Sequence, residues 1–336
     1  MKKMDSVNSD NQQIYTKEEI KTMKENGLFI NPHEFKTDKQ IKRELALEGT
    51  LPPLFEDKRS LPNLNDYLGA AKKRADIMKE ISPIHEGVVH IVLPNTSTLN
   101  IISDIHLGDS HVIIDRVQQE LEVIQNTPDS YILFTGDLVN GIFWGGAGGG
   151  EQSLNLSEQG GILRSMFSTL KGKVLAGIPG EHDSKWIRKT GSDPYDMLEE
   201  MSGAPYIRGI AEISLDVGEQ SYKIVAQHKA RGQSMYNKNH PTYRESRFDL
   251  QGADIYISAH THRKQISQET IREFGKSRMV THVSTGPYKT GDEYGDTEGF
   301  VHQTPLEMFG ASLRLHADRM LVETQYDILE AAKIWK

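Results

Sequence analysis

Five short apolar segments of this chain each end abruptly in carboxylate or imidazole side chains. The first, Leu99–Ser103, runs directly into Asp104 and His106. In an extended strand, residues two apart point to the same side, so these two side chains can converge on one metal ion. Alone, an Asp-x-His triplet is weak support for a metal site, because a strand followed by a polar turn is the simpler explanation.

The other four segments repeat this arrangement. Tyr131–Thr135 precedes Asp137, Lys173–Ile178 precedes Glu181, His182 and Asp183, Tyr222–Gln227 precedes His228, and Ile255–Ser258 precedes His260 and His262. Each cluster by itself also fits a turn aspartate, a helix cap or a surface histidine. Because open α/β sheets place ligands outside the carboxyl ends of their strands, the five clusters together predict one shared metal site.

From residue 87 onward, β-rich runs alternate with helical patterns, and the end of the chain is rich in strands. The predicted strands are Val88–Leu93, Leu99–Ser103, Tyr131–Thr135, Lys173–Ile178, Glu212–Val217, Tyr222–Gln227, Ile255–Ser258, Val280–Ser284 and Ser312–Tyr326, the last as a hairpin. The predicted helices are Ile114–Gln125, Leu156–Leu170, Pro194–Met201 and Pro241–Leu250. This order favours an α/β sandwich over a simple doubly wound sheet.

Residues 1–86 have a different pattern, with helix-start motifs separated by prolines. Thr16-Lys17-Glu18-Glu19 is typical of a capping box, and a further helix is predicted over Leu64–Ile81. We therefore divide the chain into a helical extension, residues 1–86, and a main domain, residues 87–336. We expect the extension to pack on the main domain; the alternative is an arm that binds a partner protein or nucleic acid.

The composition restricts the chemistry of the predicted site. The chain has no cysteine, so His, Asp, Glu or Asn must hold any metal, and disulfides and cysteine nucleophiles are excluded. The net charge of -8 argues against a surface that coats nucleic acid, but it permits a locally basic cleft. Met1–Gln13 is polar and no apolar run approaches the roughly 20 residues of a membrane span, so we expect a cytoplasmic protein without signal peptide or membrane contact.

The order of the five clusters resembles that of the calcineurin-like metallophosphoesterases. Their pattern is D-x-H, G-D, G-N-H-D/E, H and G-H-x-H. The chain has Asp104/His106, Gly136-Asp137, Gly180-Glu181-His182-Asp183, His228 and Ala259-His260-Thr261-His262 in the same order. The resemblance covers about Leu99 to Ser284, and it implies a four-layer αββα sandwich around a two-metal centre.

The resemblance also implies a role for each matching residue. Asp104, His106 and His262 would hold the first metal, Asp137 would bridge, and His228, His260 and Glu181 would hold the second. His182 would stand near the leaving group, oriented by Asp183. The family favours manganese, while these ligands also suit iron, zinc or nickel. Two such cations clamp a phosphate and lower the pKa of bound water from 15.7 towards about 7.

Three positions depart from the family pattern. Glu181 stands where the family has asparagine, Lys229 follows His228 where glycine is common, and Ala259 replaces the glycine before His260. The extra negative charge of Glu181 should tighten the second metal and weaken phosphate binding. The alternative is that Glu181 swings away and leaves that metal loosely held.

Basic side chains close to the predicted ligands favour an anionic substrate larger than inorganic phosphate. They are Lys185, Arg188, Lys189, Lys229, Arg231 and Arg263. Trp144 and Trp186 could stack a base, although packing explains them equally well. Ser103–Gly108 is similar to the opening of the repair-exonuclease branch of the family, and it is also close to the cyclic-nucleotide and lipid-pyrophosphate branches. We therefore expect a phosphodiesterase or nuclease; the alternatives are a phosphomonoesterase, or a binding protein that has lost efficient catalysis through Glu181.

Overall fold

A computed structural model describes residues 88–142, 149–190, 193, 195–234, 236–273, 275–291 and 304–335, with scattered helical positions between 65 and 76. Most of the predicted helical extension and Trp144 lie outside the described residues, and so do the side chains of Arg188 and Lys189. The division at residue 86 and the role of the extension therefore stay predictions.

The elements follow the predicted alternation of strands and helices. The strands are β1 (Val89–Leu93), β2 (Ser97–Ile102), β3 (Ser130–Phe134), β4 (Val174–Gly177), β5 (Ala211–Val217), β6 (Gln220–Ala226), β7 (Ile255–Ser258), β8 (Gln265–Glu273), β9 (Lys276–Ser284), β10 (Ala311–Leu315) and β11 (Val322–Gln325). The helices are α1 (Ile114–Asn126), α2 (Leu156–Thr169), α3 (Glu181–Thr190), α4 (Asp196–Ser202), α5 (His240–Arg244) and α6 (Ile328–Ile334).

The strands form two sheets. The five-stranded sheet has the order β11-β10-β2-β3-β4, and the six-stranded sheet has the order β1-β5-β6-β7-β9-β8. Strands β2, β3 and β4 run parallel to one another, and β6, β7 and β9 do the same in the other sheet. Parallel neighbours end at the same edge of a sheet, so the polar clusters after these strands are brought together.

Apolar side chains fill the space between the sheets and the space outside each of them. Between the sheets, Leu99 and Leu133 of one sheet meet Ile224 and Ile257 of the other in a continuous buried cluster. A second cluster lies between the five-stranded sheet and its helices, and a third covers the outer face of the six-stranded sheet. The predicted four-layer αββα architecture is confirmed.

The predicted strands are present within a few residues of their expected bounds, and Ser312–Tyr326 forms the expected hairpin of β10 and β11. Strand β8 was not predicted, because this edge strand is half exposed and its polar residues break the apolar run. Helix α6 was also not predicted. The helix predicted over Pro241–Leu250 is instead the short helix α5 followed by a π-helical turn, Glu245–Asp249.

Within the part of the chain that the structure describes, no helix combines the length and the apolar character that crossing a membrane requires.

Candidate metal centre

The two sheets deliver the candidate ligands to one edge of the sandwich. Asp104 and His106 follow β2, Asp137 follows β3, and Glu181 and His182 begin α3 after β4. From the other sheet, His228 follows β6, and His260 and His262 follow β7. Backbone hydrogen bonds extend the parallel pairing of β2 and β3 into this edge, since the Asp104 amide donates to the Gly136 carbonyl at 2.9 Å. The seven predicted ligands and His182 therefore lie around one centre.

Five of these residues have a backbone in the left-handed region, which L-residues seldom adopt. Their φ angles are 49° at Asp104, 54° at His106, 52° at Asp137, 69° at His260 and 54° at His262. Each such residue costs on the order of 1–2 kcal/mol relative to ordinary geometry. Because few other described non-glycine residues share this conformation, the strain is concentrated where the side chains converge.

Asp104, His106 and His262 form the first ligand group, with candidate ligand atoms within 4.8 Å of one another. The His106 Nε2 and His262 Nε2 atoms are 3.2 Å apart, and His262 Nε2 lies 3.3 Å from Asp104 Oδ1. The other carboxylate oxygen, Asp104 Oδ2, accepts hydrogen bonds from Ser103 Oγ at 2.6 Å and the His260 amide at 3.3 Å. Asp104 Oδ1 is buried without a hydrogen-bond partner in the described structure, as expected of an atom that binds a metal.

Asp137, His228 and His260 form the second ligand group. His228 Nδ1 lies 2.8 Å from the Thr135 carbonyl, so Nδ1 donates and Nε2 faces Asp137 Oδ2 at 3.2 Å. Such a carbonyl contact fixes the tautomer that metal-binding histidines need. A cation bound here would replace the Nε2 proton that the Asp137 carboxylate stabilises. Asp137 also forms a third group with His106 and His182, so it lies between the first and second groups.

The charges at the centre favour a bound cation. Burial opposes the ionisation of Asp104 and Asp137, yet neighbouring histidines hold the pKa of both carboxyls below the ordinary value. Burial also acts to lower the pKa of His228, but the Asp137 carboxylate prevails and raises it to about 10. Burial lowers the pKa of His106 well below its ordinary value, which keeps this imidazole in the neutral, metal-binding form. The oxygen and imidazole donors therefore fit divalent cations.

Asp183 has a different role from the one predicted. Its Oδ2 accepts hydrogen bonds from the backbone amides of Asp137 and Gly180, each at 2.8 Å, and from the Tyr195 hydroxyl at 3.0 Å. None of the described hydrogen bonds of Asp183 reaches the His182 ring. The prediction that Asp183 orients His182 is wrong, because the first turn of α3 points the Asp183 side chain beneath the loop that carries Asp137.

The backbone carbonyl of Asn140 orients His182 instead. His182 Nδ1 lies 2.6 Å from this carbonyl oxygen, so Nδ1 donates and Nε2 is left to face outward. Lys185 Nζ lies 3.4 Å from His182 Nε2, one turn further along α3. The His182 amide donates to Asp137 Oδ1 at 2.8 Å, which ties the start of α3 to the second ligand group.

Gly180 is required by the close approach of this turn to Asp137. A Cβ atom at position 180 would lie 2.0 Å from Asp137 Oδ1 and 2.4 Å from the Asp137 amide nitrogen. No side chain can be accommodated at such distances, so the glycine lets the start of α3 reach the Asp137 carboxylate.

Glu181 faces the second ligand group. Its Oε2 lies 3.0 Å from His260 Nδ1 and 3.8 Å from Lys229 Nζ. The hydrogen bond to His260 lowers the pKa of Glu181, so this carboxyl is ionised at neutral pH. The alternative in which Glu181 swings away is not the arrangement seen here.

The predicted substrate-binding side chains are exposed. They are Lys229, which contacts Glu181, Arg231, and Arg263, whose Nη1 donates to the Ser234 carbonyl at 3.2 Å. Trp186, by contrast, is buried in the apolar cluster beneath the helices. The suggestion that Trp186 stacks a base is therefore wrong for this side chain.

Lys289 is a buried cation near the centre that the sequence did not reveal. Its Nζ lies 3.4 Å from Asp109 Oδ2, and its charge helps to lower the pKa values of His106 and His182 after the larger effect of burial. Asp109 also groups with His111 and Glu151, but the Lys289 ammonium already meets part of that negative charge. Lys289 follows the predicted strand Val280–Ser284 and belongs to no motif. Only the fold therefore brings it close to the candidate metal centre.

The comparisons with known proteins agree with this geometry. Residues 98–264, which include all seven candidate ligands, match the family model described as Calcineurin-like phosphoesterase. A search of curated proteins finds no match to this chain.

Three of the solved structures to which this chain is similar are the following. A metallophosphoesterase from Sphaerobacter thermophilus is 14% identical, with 70% of this chain and 92% of that chain covered and a TM-score of 0.35. The nuclease MPE of Pseudomonas putida is 13% identical, with 67% and 87% covered and a TM-score of 0.30. Vps29 of Chaetomium thermophilum is also 13% identical, with 68% and 92% covered and a TM-score of 0.30.

Proposed function

This chain belongs to the calcineurin-like phosphoesterases through residues 98–264, and from that membership we propose that it is a two-metal phosphodiesterase. The observation that carries the proposal is the pair of ligand groups that meet at Asp137. One group offers a carboxylate and two imidazoles, and the other offers the same donor types. Paired metal sites of this kind are typical of enzymes that cleave phosphate esters.

We assign Asp104, His106 and His262 to one cation, and His228, His260 and Glu181 to the other, with Asp137 between them. When bound, the two cations supply Lewis acidity and an activated water for attack on phosphorus. Manganese is the metal we expect, and iron, zinc and nickel suit the same donors.

His182 is placed to donate a proton to the leaving group. Its Nδ1 is held by the Asn140 carbonyl, so the ring orientation is fixed and Nε2 faces the side of the centre where Lys185 lies. In its imidazolium form His182 carries a proton on each ring nitrogen, and the Nε2 proton would neutralise the alkoxide as it forms, leaving the neutral ring with its Nδ1 proton on the Asn140 carbonyl. Because burial lowers the pKa of His182, this proton-donating form is favoured by lower pH. The Lys185 ammonium can in turn stabilise negative charge on the phosphate oxygens.

Exposed cations close to the ligands in the chain support a diester substrate. Lys229 and Arg231 follow His228, Arg263 follows His262, and all three side chains are exposed, so they can meet phosphates beyond the one that is cleaved. The similarity of Ser103–Gly108 to the repair-exonuclease branch points in the same direction. We therefore propose a nucleotide or nucleic-acid phosphodiester as the substrate, and a cytoplasmic location.

One observation favours a second candidate, a protein of this fold that binds its ligand but turns it over poorly. Glu181 adds an ionised carboxylate at the centre and holds His260 Nδ1 at 3.0 Å. A negative charge at this position repels an incoming phosphate. The complete set of the other six ligands argues for the enzyme, because a binding protein has no need of them.

The test is hydrolysis of bis(p-nitrophenyl) phosphate compared with p-nitrophenyl phosphate, with manganese added and Asp137→Ala as the control. We expect faster hydrolysis of the diester, and its loss in the variant and in chelator. Faster hydrolysis of the monoester would indicate a phosphomonoesterase instead. No turnover of either ester by folded, metal-loaded protein would favour the binding protein.

A further inference from the structure

A cavity of about 530 Å³ opens beside the second ligand group. Glu181 and His228 line the end of the cavity next to the candidate metal centre, and Ile187, Tyr206, Arg208 and Ile210 line other parts of its wall. A volume of this size is typical of small-molecule sites. A phosphate ester bound at the centre would therefore have room for one of its substituents in this cavity.

The apolar part of the wall is rigid. Ile187 projects from α3, while Ile210 packs against the apolar cluster outside the six-stranded sheet. The Tyr206 ring stacks on the buried Tyr195 ring, with centroids 5.2 Å and planes 19° apart. Because Ile210 and Tyr206 are held by packing on their far sides, they present, together with Ile187, a preformed apolar surface that suits a planar ring.

A charged group stands at the same wall in a fixed orientation. Arg208 Nη2 donates to Asp193 Oδ2 at 2.8 Å, and Arg208 Nε lies 3.3 Å from the Tyr206 hydroxyl. The Tyr206 hydroxyl also donates to Asp193 Oδ2 at 2.8 Å, so the three side chains form one unit. The Arg208 side chain remains 44% exposed, so this oriented guanidinium can still meet an anion at the cavity rim. Lys229 lines the same cavity nearer the centre.

We propose that this cavity binds the nucleoside next to the scissile phosphate, and that Arg208 binds the next phosphate of the same strand. The wall offers the groups that a nucleotide chain requires: candidate metal ligands for one phosphate, apolar side chains for sugar and base, and an arginine for a second phosphate. This inference rests on the proposed phosphodiesterase function and makes the substrate an oligonucleotide end. A small alkyl or aryl diester would leave the cavity and Arg208 unused.

The first measurement compares two esters that release the same p-nitrophenolate. Thymidine 5′-(p-nitrophenyl phosphate) carries the nucleoside, and methyl p-nitrophenyl phosphate carries a methyl group in its place. With manganese present, we expect kcat/KM to be about tenfold or more higher for the thymidine ester, the size of effect that one well-packed base gives. Equal values for the two esters would overturn the inference while leaving the proposed phosphodiesterase function intact.

The second measurement does not depend on turnover. Calorimetry in manganese compares thymidine 3′,5′-bisphosphate with inorganic phosphate, and we expect the bisphosphate to bind about tenfold or more tightly. If neither ester is hydrolysed but the bisphosphate keeps this advantage, the proposed catalysis fails and the nucleotide site stands. If the bisphosphate binds no better than phosphate, the nucleotide site is wrong.

Two variants locate the effect. Ile187→Trp fills the cavity and should abolish the advantage of the thymidine ester and of the bisphosphate. Its matched control is Ile162→Trp at an exposed isoleucine on α2 outside the cavity, and this variant should keep both advantages.

Arg208→Gln should weaken the binding of the bisphosphate by several-fold and the binding of thymidine 5′-phosphate much less. Because loss of Arg208 leaves the buried Asp193 carboxylate without its cation, the folding of that variant must be checked, and Ile187→Trp keeps the inference testable if it unfolds. Ile187→Trp with the full advantage retained would overturn the proposed site.

Discussion

The two sheets contribute unequal halves to the candidate metal centre. In the half from the five-stranded sheet, Asp104, His106 and Asp137 are deeply buried at 0%, 2% and 1% relative exposure, whereas the Glu181 side chain, at 36%, reaches the surface. In the half from the six-stranded sheet, the His228 side chain is buried at 5%, but the side chains of His260 and His262 are 17% and 28% exposed. Carboxylates dominate the buried half and imidazoles dominate the other.

A buried carboxyl group lies behind each half. Burial raises the pKa of each of these two groups to about 7. In the five-stranded half this is Asp183, which also feels the charge of Asp137 and is held by backbone amides. In the six-stranded half it is Glu245, which accepts a hydrogen bond from Gln227 next to His228. The comparison indicates that backbone contacts hold the buried half and also His228, whereas His260 and His262 depend on single side chains, which makes theirs the variable half. The family departures Glu181 and Lys229 lie beside this variable half.

The largest expected effect is in the buried half. Asp104→Asn replaces the acceptor Oδ1 or Oδ2 by an amide donor, and we expect diester hydrolysis to fall on the order of a thousandfold or more because one cation is no longer held. The measurement is turnover of bis(p-nitrophenyl) phosphate together with the metal content of the purified protein. Asp115→Asn, an exposed aspartate on α1, is the control and should behave like the unchanged protein. Full activity in Asp104→Asn would contradict the expectation that the buried half matters more for catalysis than the partly exposed half.

A smaller effect is expected in the exposed half. His260→Ala removes one ligand of the second group, and we expect a loss of about 10- to 100-fold that added manganese partly restores. Because His260 is partly exposed, water can occupy the vacated position. The measurement is the manganese dependence of turnover, with His316→Ala in the β10–β11 hairpin as the control. A loss as large as that of Asp104→Asn, with no recovery in manganese, would show that the two halves are equally rigid.

The carboxyl group that backs the exposed half predicts a pH dependence of stability. The pKa of Glu245 is about 7 in the folded protein against 4.5 for a free glutamate, since burial favours its neutral form. Between these pH values the folded state binds more protons than the unfolded state, so this group makes the protein less stable as pH rises. Glu245→Gln cannot ionise, and we expect it to gain about 1–2 kcal/mol relative to the unchanged protein on going from pH 5 to pH 8.

Urea denaturation of both proteins at the two pH values measures this difference. Glu330→Gln, an exposed glutamate on α6, serves as the control and should show no comparable gain. An equal effect of Glu245→Gln at both pH values would mean that Glu245 is ionised in the folded protein.

The smallest expected effect is a gain. Glu181→Asn removes an ionised carboxylate from the phosphate-binding side while keeping an oxygen for the second cation, so turnover should rise by about two- to tenfold. Glu181→Ala removes both the charge and the oxygen and should need more manganese for the same turnover. The measurement is kcat and KM for the diester across manganese concentrations. Unchanged or abolished activity in Glu181→Asn would contradict this account of the variable half.

The sequence by itself determined which residues meet at the centre. Five strands, β2, β3, β4, β6 and β7, are short apolar runs followed by polar residues. These polar residues lie at the same edge because parallel strands end together. The alternation of side chains along a strand predicted that Asp104 and His106 converge on one group, and they do, although their backbones are left-handed and not extended. His260 and His262 instead divide between the two groups. The order of strands and helices predicted an α/β sandwich, and the resemblance to the family implied its four αββα layers. The cytoplasmic location and the role of residues 1–86 remain predictions.

The tertiary structure decided how those residues are held. Whether Asp183 or the Asn140 carbonyl orients His182 depends on the first turn of α3, whose direction no local pattern fixes. The contacts of Glu181 with His260 and of Lys289 with Asp109 join residues far apart in the chain. The cavity likewise exists only where α3 meets the segment before β5. Local patterns predict where a strand ends and which polar residues come next, but packing between distant segments sets the direction of each side chain and the space beside it.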